Sequence, residues 1–256
     1  MMKRRYFYKF MPINDYTFEN LSNNQIWFSS PMDFNDPFDF FIPYNLDFNK
    51  EEFEKIIPKP PGISESMYDQ MFLAAKNNPT KLEKWIEIGL ERFKASIKIA
   101  CFCEKKNNIL MWSHYADSHK GICLKFDSNF DYNFFHEDNW KFHKMPIREV
   151  KYPPKPEKAY YFKDNDNFFR ACAFTKYYKW KYEKEHRIIS AVDVIKYNKE
   201  CLVEINFGCK CDKNNKKKII EIINANKYPN INFKQARKSK IDFALEFDDI
   251  TEMVQC

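Results

Sequence analysis

Glycine is scarce in this chain: four residues in 256. So few glycines argue against a glycine-rich phosphate loop, and neither G-x-G-x-x-G nor G-x-x-x-x-G-K occurs. The chain also lacks a long apolar run, so no membrane-spanning helix is predicted. Its net charge of +6, from 42 basic and 36 acidic residues, does not by itself indicate a nucleic-acid partner. The absence of both glycine motifs argues against nucleotide-binding folds of the P-loop and Rossmann types.

A hydrophobic export signal is also missing, although the chain has eight cysteines. The basic stretch 1–10 is not followed by the apolar segment of a signal peptide. We therefore expect a cytoplasmic protein with free thiols and no membrane partner. The pairs Cys101/Cys103 and Cys209/Cys211 would place two thiols on one face of a strand. They can bind zinc or pack as small hydrophobic side chains, and the spacing leaves both open.

Aromatic residues are abundant, with 26 Phe and 15 Tyr, and 44% of the chain is hydrophobic, so a large packed core is expected. Helical spacing of apolar residues predicts a helical insertion at about 51–98. Strand patterns are found in "IKIACFC", "GICLKFD", "HRIISAV", "CLVEINFG" and "KIDFALEF". Because strands and helices alternate only in part, the predicted fold is α+β with a mixed, mainly antiparallel sheet. We expect a single domain over 1–256 that contains the helical insertion.

Shorter elements are predicted around this framework. They are a strand at 6–10, a helix at 15–21 capped by Asn14, a strand at 25–29, and helices near 168–178 and 217–226.

The segment 28–41, "FSSPMDFNDPFDFF", combines a turn with several aromatic rings. Asn35 and Asp36, followed by proline, are turn-forming residues. Since exposed rings are unfavourable, we expect this turn to fold inward and to desolvate both polar side chains. A buried loop whose polar groups satisfy only one another is the alternative.

The segment 110–126, "LMWSHYADSHKGICLKF", predicts a helix followed by a strand. Helical spacing places four residues on one face: Trp112, Tyr115, Ala116 and His119. Gly121 is expected to end the helix. We expect Trp112 and His119 to lie in the interior, and His114 with Tyr115 to border a cleft. Ser113 lacks the G-x-S-x-G context of a serine hydrolase.

The segment 179–189, "KWKYEKEHRII", follows Lys176 and is rich in charge. As a strand it would place Glu183, Glu185 and Arg187 on one face. One hypothesis is an edge strand with ion pairs to its neighbours. The other is a pair of carboxylates at a cleft, one stabilising developing positive charge and one activating a nucleophile.

Together these motifs resemble a bacterial family known as domain of unknown function 2971. The similarity runs from about residue 6 to the end, and 51–98 is the part expected to vary. It is carried by "YKF", "IWFSSPMDFNDPFD", "CFCEKKNNILMWSHYADSHKGICLKFD", "VKY", "TKYYKWKYEKEHRII" and "INFGCKC". The family name implies no activity.

A second resemblance concerns mechanism. A polar residue on an early strand, a strand ending in Ser and a late E-x-E strand are similar to the arrangement of ADP-ribosyltransferases. The resemblance implies that fold and NAD as the substrate. It implies Lys9 with Tyr8 on the early strand, Ser29 or Ser30 on the middle one, and Glu183-x-Glu185 on the last. Lys9 departs from the Arg or His of those enzymes, and Ser-Ser-Pro departs from their Ser-Thr-Ser.

The leading hypothesis is an NAD-dependent, ADP-ribosyltransferase-like enzyme that modifies a protein or nucleic acid as a toxin or phage-defence effector. Glu185 would be the catalytic carboxylate, Glu183 would assist the acceptor, and His114 would complete the catalytic set. The substrate-binding residues would be Tyr8, Lys9, Ser29, Asn35, Asp36, Tyr115, Lys176 and Arg187.

Two alternatives belong to other classes. A metal-dependent nuclease or phosphodiesterase would use Asp36, Glu183, Glu185 and His114 as ligands, with Lys176 on a phosphate. A non-catalytic binding or antitoxin-like module would use the aromatic clusters only as core, and replacing Glu185 would then affect stability alone.

Overall fold

The computed structural model describes residues 6–127 and 147–254. The basic residues 1–5 and Cys256, on which part of the sequence predictions rest, lie outside these ranges. The described chain divides into two compact units. Unit 1 contains residues 6–29, 99–127, 147–149 and 181–254, and unit 2 contains residues 30–98 and 150–180. The predicted single domain over 1–256 stays a prediction.

The helices and strands are defined by the following bounds. The helices are α1 (Asp15–Ser22), α2 (Lys50–Ile56), α3 (Glu65–Lys76), α4 (Pro79–Ser96), α5 (Ile109–Tyr115), α6 (Asn165–Phe174), α7 (Lys213–Ala225) and α8 (Thr251–Val254). The strands are β1 (Tyr6–Met11), β2 (Gln25–Trp27), β3 (Tyr44–Asn45), β4 (Lys98–Cys103), β5 (Ile122–Asp127), β6 (Arg148–Glu149), β7 (Ala159–Tyr160), β8 (Glu185–Ser190), β9 (Val194–Lys196), β10 (Leu202–Phe207), β11 (Asn232–Lys238) and β12 (Leu245–Asp249).

Unit 1 is built on an eight-stranded sheet in the order β12-β11-β10-β5-β1-β4-β8-β6. β10 and β11 pair in parallel, whereas the pairs β1–β4, β1–β5, β5–β10, β6–β8 and β11–β12 are antiparallel. The α+β class with a mainly antiparallel sheet is therefore confirmed. Near the centre, Tyr8 lies opposite Cys103 on one side and Lys125 on the other. This row positions the candidate site.

The two faces of this sheet carry different cores. One core includes Phe7 and Phe102 with residues of α1 and α7, and we call this side the α1 face. The other includes Phe10, Cys103 and Trp112 of α5, and we call it the α5 face. Because side chains alternate along a strand, neighbouring residues of β1 point to opposite faces.

Helix α1 begins where local chemistry predicts. The Asn14 side-chain oxygen accepts a 3.0 Å hydrogen bond from the Thr17 backbone N–H. The Thr17 hydroxyl accepts in return from the Asn14 N–H at 3.4 Å. This reciprocal cap satisfies two donors that a helix start otherwise leaves unbonded.

The predicted helix through His119 is wrong, because α5 ends at Tyr115. Asp117, Ser118 and His119 have φ values of 43°, 52° and 72°, in the left-handed region that a right-handed helix cannot include. Gly121 closes the turn by donating its N–H to the Ala116 carbonyl at 2.8 Å. Glycine is required here by a close approach, since a Cβ would lie 2.2 Å from the Met11 carbonyl oxygen.

Other predicted boundaries shift. The strand predicted at 240–247 begins only at Leu245, and β11 was not predicted. The helices predicted at 168–178 and 217–226 are found at Asn165–Phe174 and Lys213–Ala225. Element ends depend on caps and tertiary contacts more than on the periodicity used to predict them.

Unit 2 contains α2, α3 and α4 in the stretch predicted to be helical. Its core is aromatic: the Phe48 and Phe162 rings stack with centroids 4.2 Å apart, and Phe53 lies 5.8 Å from Phe48. Such ring pairs bury large apolar areas, which explains much of the high Phe content.

Within the ranges that the structure describes, no helix combines the length and the apolar composition needed to cross a membrane.

Candidate functional site

Glu183 and Glu185 are both buried but reach the interior from different local structures. Glu183 ends a 3-10 helix, Tyr178–Glu183, and β8 begins at Glu185. Lys184 between them has φ 46°, so the chain is not extended there. The prediction that Glu183 lies on the strand is therefore wrong. The two carboxylates are nevertheless only 3% and 5% exposed.

Glu183 is held by Tyr115 from the end of α5. The Tyr115 hydroxyl donates to Glu183 Oε1 at 2.6 Å. Burial and the nearby Glu183 carboxylate raise the pKa of Tyr115 well above its ordinary value. The phenol thus stays protonated and remains a hydrogen-bond donor to the carboxylate.

Asn108 fixes the start of α5 beside the same segment. Its side-chain oxygen accepts the Leu110 N–H at 3.0 Å, which caps the helix. Its amide nitrogen donates to the Tyr182 carbonyl at 2.9 Å, one residue before Glu183. The cap and the carboxylate-bearing turn are therefore positioned by one side chain.

Glu185 is held by Arg187, two residues along β8. Arg187 Nε donates to Oε1 at 2.6 Å and Nη2 donates to Oε2 at 3.1 Å. Arg187 is fully buried. The two side chains share a face of the strand, as the alternation predicts. A two-bond fork compensates both charges in an interior where an isolated charge would be very costly.

Two thiols on the adjacent strand β4 complete this cluster. Burial, then the charges of Glu183 and Glu185, raises the pKa of Cys103 to about 12. Burial and Glu185 raise the pKa of Cys101 well above its ordinary value. Both thiols are therefore neutral, unlike an activated cysteine nucleophile. In residues 6–127 and 147–254, no three His, Cys, Asp or Glu side chains are grouped to hold a metal ion.

Tyr8 and Lys9 lie on opposite faces of β1. Tyr8 packs on the α5 face, and burial with the Glu204 charge raises its pKa to about 12. Lys9 lines a small cavity on the α1 face, where its ammonium donates to the Cys101 carbonyl at 3.4 Å. Burial lowers the pKa of Lys9. Tyr8 therefore shares the α5 face with Cys103, whereas Lys9 lies on the other face, still close enough to Glu185 for that charge to raise the pKa of Lys9 in part.

Two further predicted residues of unit 1, Ser29 and His114, are not buried as the two carboxylates are. Ser29 forms an antiparallel backbone bridge to Ile99. The Ser29 N–H donates to the Ile99 carbonyl with a nitrogen–oxygen distance of 2.9 Å, and the Ile99 N–H donates to the Ser29 carbonyl at 2.8 Å. His114 is exposed on α5, with its ring centroid 6.2 Å from that of Tyr115. Trp112 is fully buried, as predicted, whereas His119 is only half-buried.

Three predicted substrate residues belong to unit 2. Asn35 is exposed, and Asp36 accepts the Phe38 N–H at 2.9 Å in a local turn. Phe38 is 67% exposed, whereas Phe40 is buried and Asp36 is half-buried, so the expectation that this turn folds inward is met by Phe40 and Asp36 but is wrong for Asn35 and Phe38. Lys176 is buried, with its ammonium 3.8 Å from Asp39 Oδ2. The Asp36 side chain accepts a backbone N–H within the turn itself, so the polar groups of the turn do not depend on partners in the protein interior.

A second polar cluster on the α5 face was missed by the sequence interpretation. Lys106 donates to Glu204 Oε1 at 2.6 Å and to Asn206 Oδ1 at 2.8 Å. Lys125 lies directly across the sheet from Glu204. The signal was present: in "ICLKFD" and "LVEINF" these charged residues interrupt otherwise apolar strands.

The family model described as "Protein of unknown function (DUF2971)" matches residues 111–188. That stretch contains Tyr115, Glu183, Glu185 and Arg187. Comparisons with curated proteins and with solved structures give no match. The resemblance to ADP-ribosyltransferases therefore stays a prediction. The match supports the predicted resemblance to this family over residues 111–188, the segment that carries the buried carboxylates.

Proposed function

We propose that unit 1 is an NAD-dependent, ADP-ribosyltransferase-like enzyme with Glu183 and Glu185 as its catalytic carboxylates. The observation that supports this proposal most is the juxtaposition of two buried carboxylates with different partners. Glu183 accepts a hydrogen bond from the neutral phenol of Tyr115, whereas Glu185 accepts two hydrogen bonds from the guanidinium of Arg187. Two carboxyl groups in contrasting environments commonly take two different roles in one reaction.

In the proposed reaction, the bond between the ribose C1′ and nicotinamide breaks, and nicotinamide leaves with the bonding electrons. Positive charge then develops on the ribose, and a carboxylate held nearby stabilises it. Glu185 suits this role because Arg187 fixes its orientation. Glu183 would take the proton of the acceptor nucleophile as the new bond to C1′ forms. Tyr115 would orient Glu183 throughout.

The acceptor in this proposal is a protein or a nucleic acid, and the biological role is that of a toxin or phage-defence effector. Tyr8 supports the proposal from the α5 face, since it lies opposite Cys103, which is close enough to both carboxylates for them to raise its pKa. Its ring offers a surface on which a nicotinamide or adenine ring can stack.

The test is to incubate the purified protein with NAD and cell extract and to measure nicotinamide release. We expect release by the wild type and a loss of about 100-fold or more in Glu185→Gln, the scale for removing one electrostatic stabiliser. Glu221→Gln makes the same change at an exposed position on α7 and should keep full activity. Circular dichroism establishes that each variant is folded, and Glu183→Gln replaces Glu185→Gln if that variant does not fold.

The outcomes separate the hypotheses. A folded wild type that releases no nicotinamide in the presence of extract would end the proposal. Cleavage of phosphodiesters that requires a divalent metal would instead favour the nuclease hypothesis. Absence of both activities, with Glu185→Gln altering only stability, would favour the non-catalytic module.

A further inference from the structure

Three lysine side chains converge on one buried carboxylate on the α5 face of unit 1. Glu204 of β10 is only 4% exposed. Its Oε1 accepts from Lys106 at 2.6 Å, and its Oε2 lies 3.9 Å from the Lys125 ammonium and 3.8 Å from the Lys234 ammonium. We call Lys106, Lys125 and Lys234 the lysine cluster. Three cations therefore share a carboxylate that can neutralise one.

The cluster retains hydrogen-bonding capacity. Lys106 uses two of its three ammonium donors, on Glu204 and Asn206. Lys125 and Lys234 are too far from Glu204 for a hydrogen bond. Neither of these two ammonium groups donates to another residue in the described part of the chain. The six N–H donors of these two cations thus have no hydrogen-bond acceptor among the described residues.

The surroundings keep these cations in place. Asn206 is fully buried, and its amide nitrogen donates to the Cys123 carbonyl at 3.1 Å, so its oxygen faces Lys106. The Lys125 ammonium lies 4.0 Å from the centroid of the Tyr6 ring, and the Lys106 ammonium lies 4.6 Å from that of Phe247. Aromatic faces attract cations and restrict where the flexible chains can go.

Among the described residues that contact these lysines or pair with them in the sheet, positive charge remains in excess when a second acid is counted. Asp249 is exposed on β12, directly opposite Lys234. With Glu204 it gives two carboxylates against three ammonium groups. The pKa of Lys106 reflects this crowding: burial lowers it, Glu204 raises it, and the charges of Lys234 and Lys125 lower it. An anion bound among the lysines would relieve this repulsion.

We propose that the lysine cluster is a binding site for a phosphate or pyrophosphate group of a small nucleotide-like ligand. The cations gather around one point instead of forming a stripe, and a stripe is what the backbone of a nucleic acid would need. The Lys125 and Lys234 ammonium groups are at most about 8 Å apart, because both lie within 4 Å of one oxygen atom. This span is suited to one compact anion.

The lysines remain 20%, 20% and 27% exposed, in the order Lys106, Lys125 and Lys234, so an anion can reach them from solvent. The rings of Tyr6 and Phe247 beside them provide apolar contact for a base or sugar. This proposal does not rest on the proposed transferase activity, since it requires neither NAD cleavage nor Glu185.

Isothermal titration with pyrophosphate, inorganic phosphate, ADP and adenosine tests the proposal at low salt. We expect binding of pyrophosphate and ADP, no binding of adenosine, and a loss of affinity as salt is raised. Lys125→Met and Lys234→Met should each weaken pyrophosphate binding about tenfold or more. Lys217→Met, an exposed lysine on α7, should leave it unchanged.

Glu204→Gln provides a result that a purely structural ion pair does not predict. Removing the carboxylate leaves the cations without their counter-charge, so pyrophosphate should bind more tightly than in the wild type. No pyrophosphate binding at 10 mM by the wild type or by Glu204→Gln overturns the proposal. Equal weakening by Lys217→Met and Lys125→Met also overturns it, as does lysine-dependent binding of a single-stranded oligonucleotide without binding of pyrophosphate.

Discussion

The hydroxyl of Tyr115 donates a 2.6 Å hydrogen bond to the carboxylate of Glu183, joining residues 68 positions apart. This contact links the last turn of α5 to the turn that precedes β8. Both groups lie largely out of water, with Glu183 only 3% exposed. The relationship therefore has consequences for stability that do not depend on any proposed activity.

Replacing Tyr115 by Phe removes the donor and leaves the carboxylate of Glu183 without it. A buried acceptor that loses its partner costs about 1–3 kcal/mol. We expect the free energy of unfolding of Tyr115→Phe to fall by about that amount in urea denaturation. Tyr16→Phe is the matched control, since Tyr16 is 72% exposed and its hydroxyl can bond to water. Equal stability of the two variants would contradict the importance of the hydrogen bond.

Replacing Arg187 by Met removes the guanidinium that donates two hydrogen bonds to the Glu185 carboxylate. Breaking a buried ion pair from one side costs about 3–5 kcal/mol. We expect that loss in Arg187→Met, and partial recovery in the double variant with Glu185→Gln, because the uncompensated charge is then absent. Arg237→Met is the control, since Arg237 pairs with Asp248 at an exposed site and should change stability far less. Failure of the double variant to recover any stability would argue against charge compensation.

His119 should make stability depend on pH in the acidic range. Burial and the charges of Lys210 and Lys238 lower its pKa below the ordinary 6.5. Its Nδ1 also has no hydrogen-bond partner in the described residues. The unfolded chain therefore binds the proton more readily, so stability is retained above pH 6.5 and lost as pH falls below it.

The measurement is urea denaturation at about pH 7.5 and pH 5.5 in wild type and His119→Gln. The wild type should lose more stability on acidification than the variant, which lacks the titrating ring. A nuclear magnetic resonance titration of the ring provides an independent check. A titration midpoint for His119 above pH 6.5 would contradict the lowered pKa, because protonation of the ring would then stabilise the folded chain.

Gly208 should not tolerate a side chain. A Cβ there would lie 2.1 Å from the His119 carbonyl oxygen, in the turn that follows α5. The backbone must move to relieve this contact, so we expect Gly208→Ala to lose about 1–3 kcal/mol of unfolding free energy. Gly89→Ala in α4 is the control: the nearest contact there is 3.3 Å from the Tyr161 hydroxyl, and alanine favours the helix. Similar melting temperatures for both variants would contradict this.

Much of the fold could be predicted from local sequence patterns. The cap at Asn14 predicted the start of α1, and alternation predicted that Glu185 and Arg187 share a face. The position of Glu183 was not accessible, because strand alternation assumes an extended chain and Lys184 adopts a left-handed conformation. No neighbouring glycine or asparagine marked that bend in advance.

The candidate site could be predicted only in part from the sequence. The acidic pair, Arg187 and Tyr115 were identified from residue type and spacing, yet the hydrogen bond between Tyr115 and Glu183 was not. The lysine cluster was missed, since its members come from a loop and two strands that are far apart in the chain.

Short-range chemistry decides where α1 begins, that Trp112 is buried and which side chains of β8 lie together, because these features depend on residues a few positions apart. Contacts such as Tyr115 with Glu183 and Lys106 with Glu204 join residues 68 and 98 positions apart, and only the order of strands in the folded sheet creates them. A residue type states what a side chain can bond to. Which distant group it meets is set by the packing of the whole unit, through contacts that no local pattern encodes.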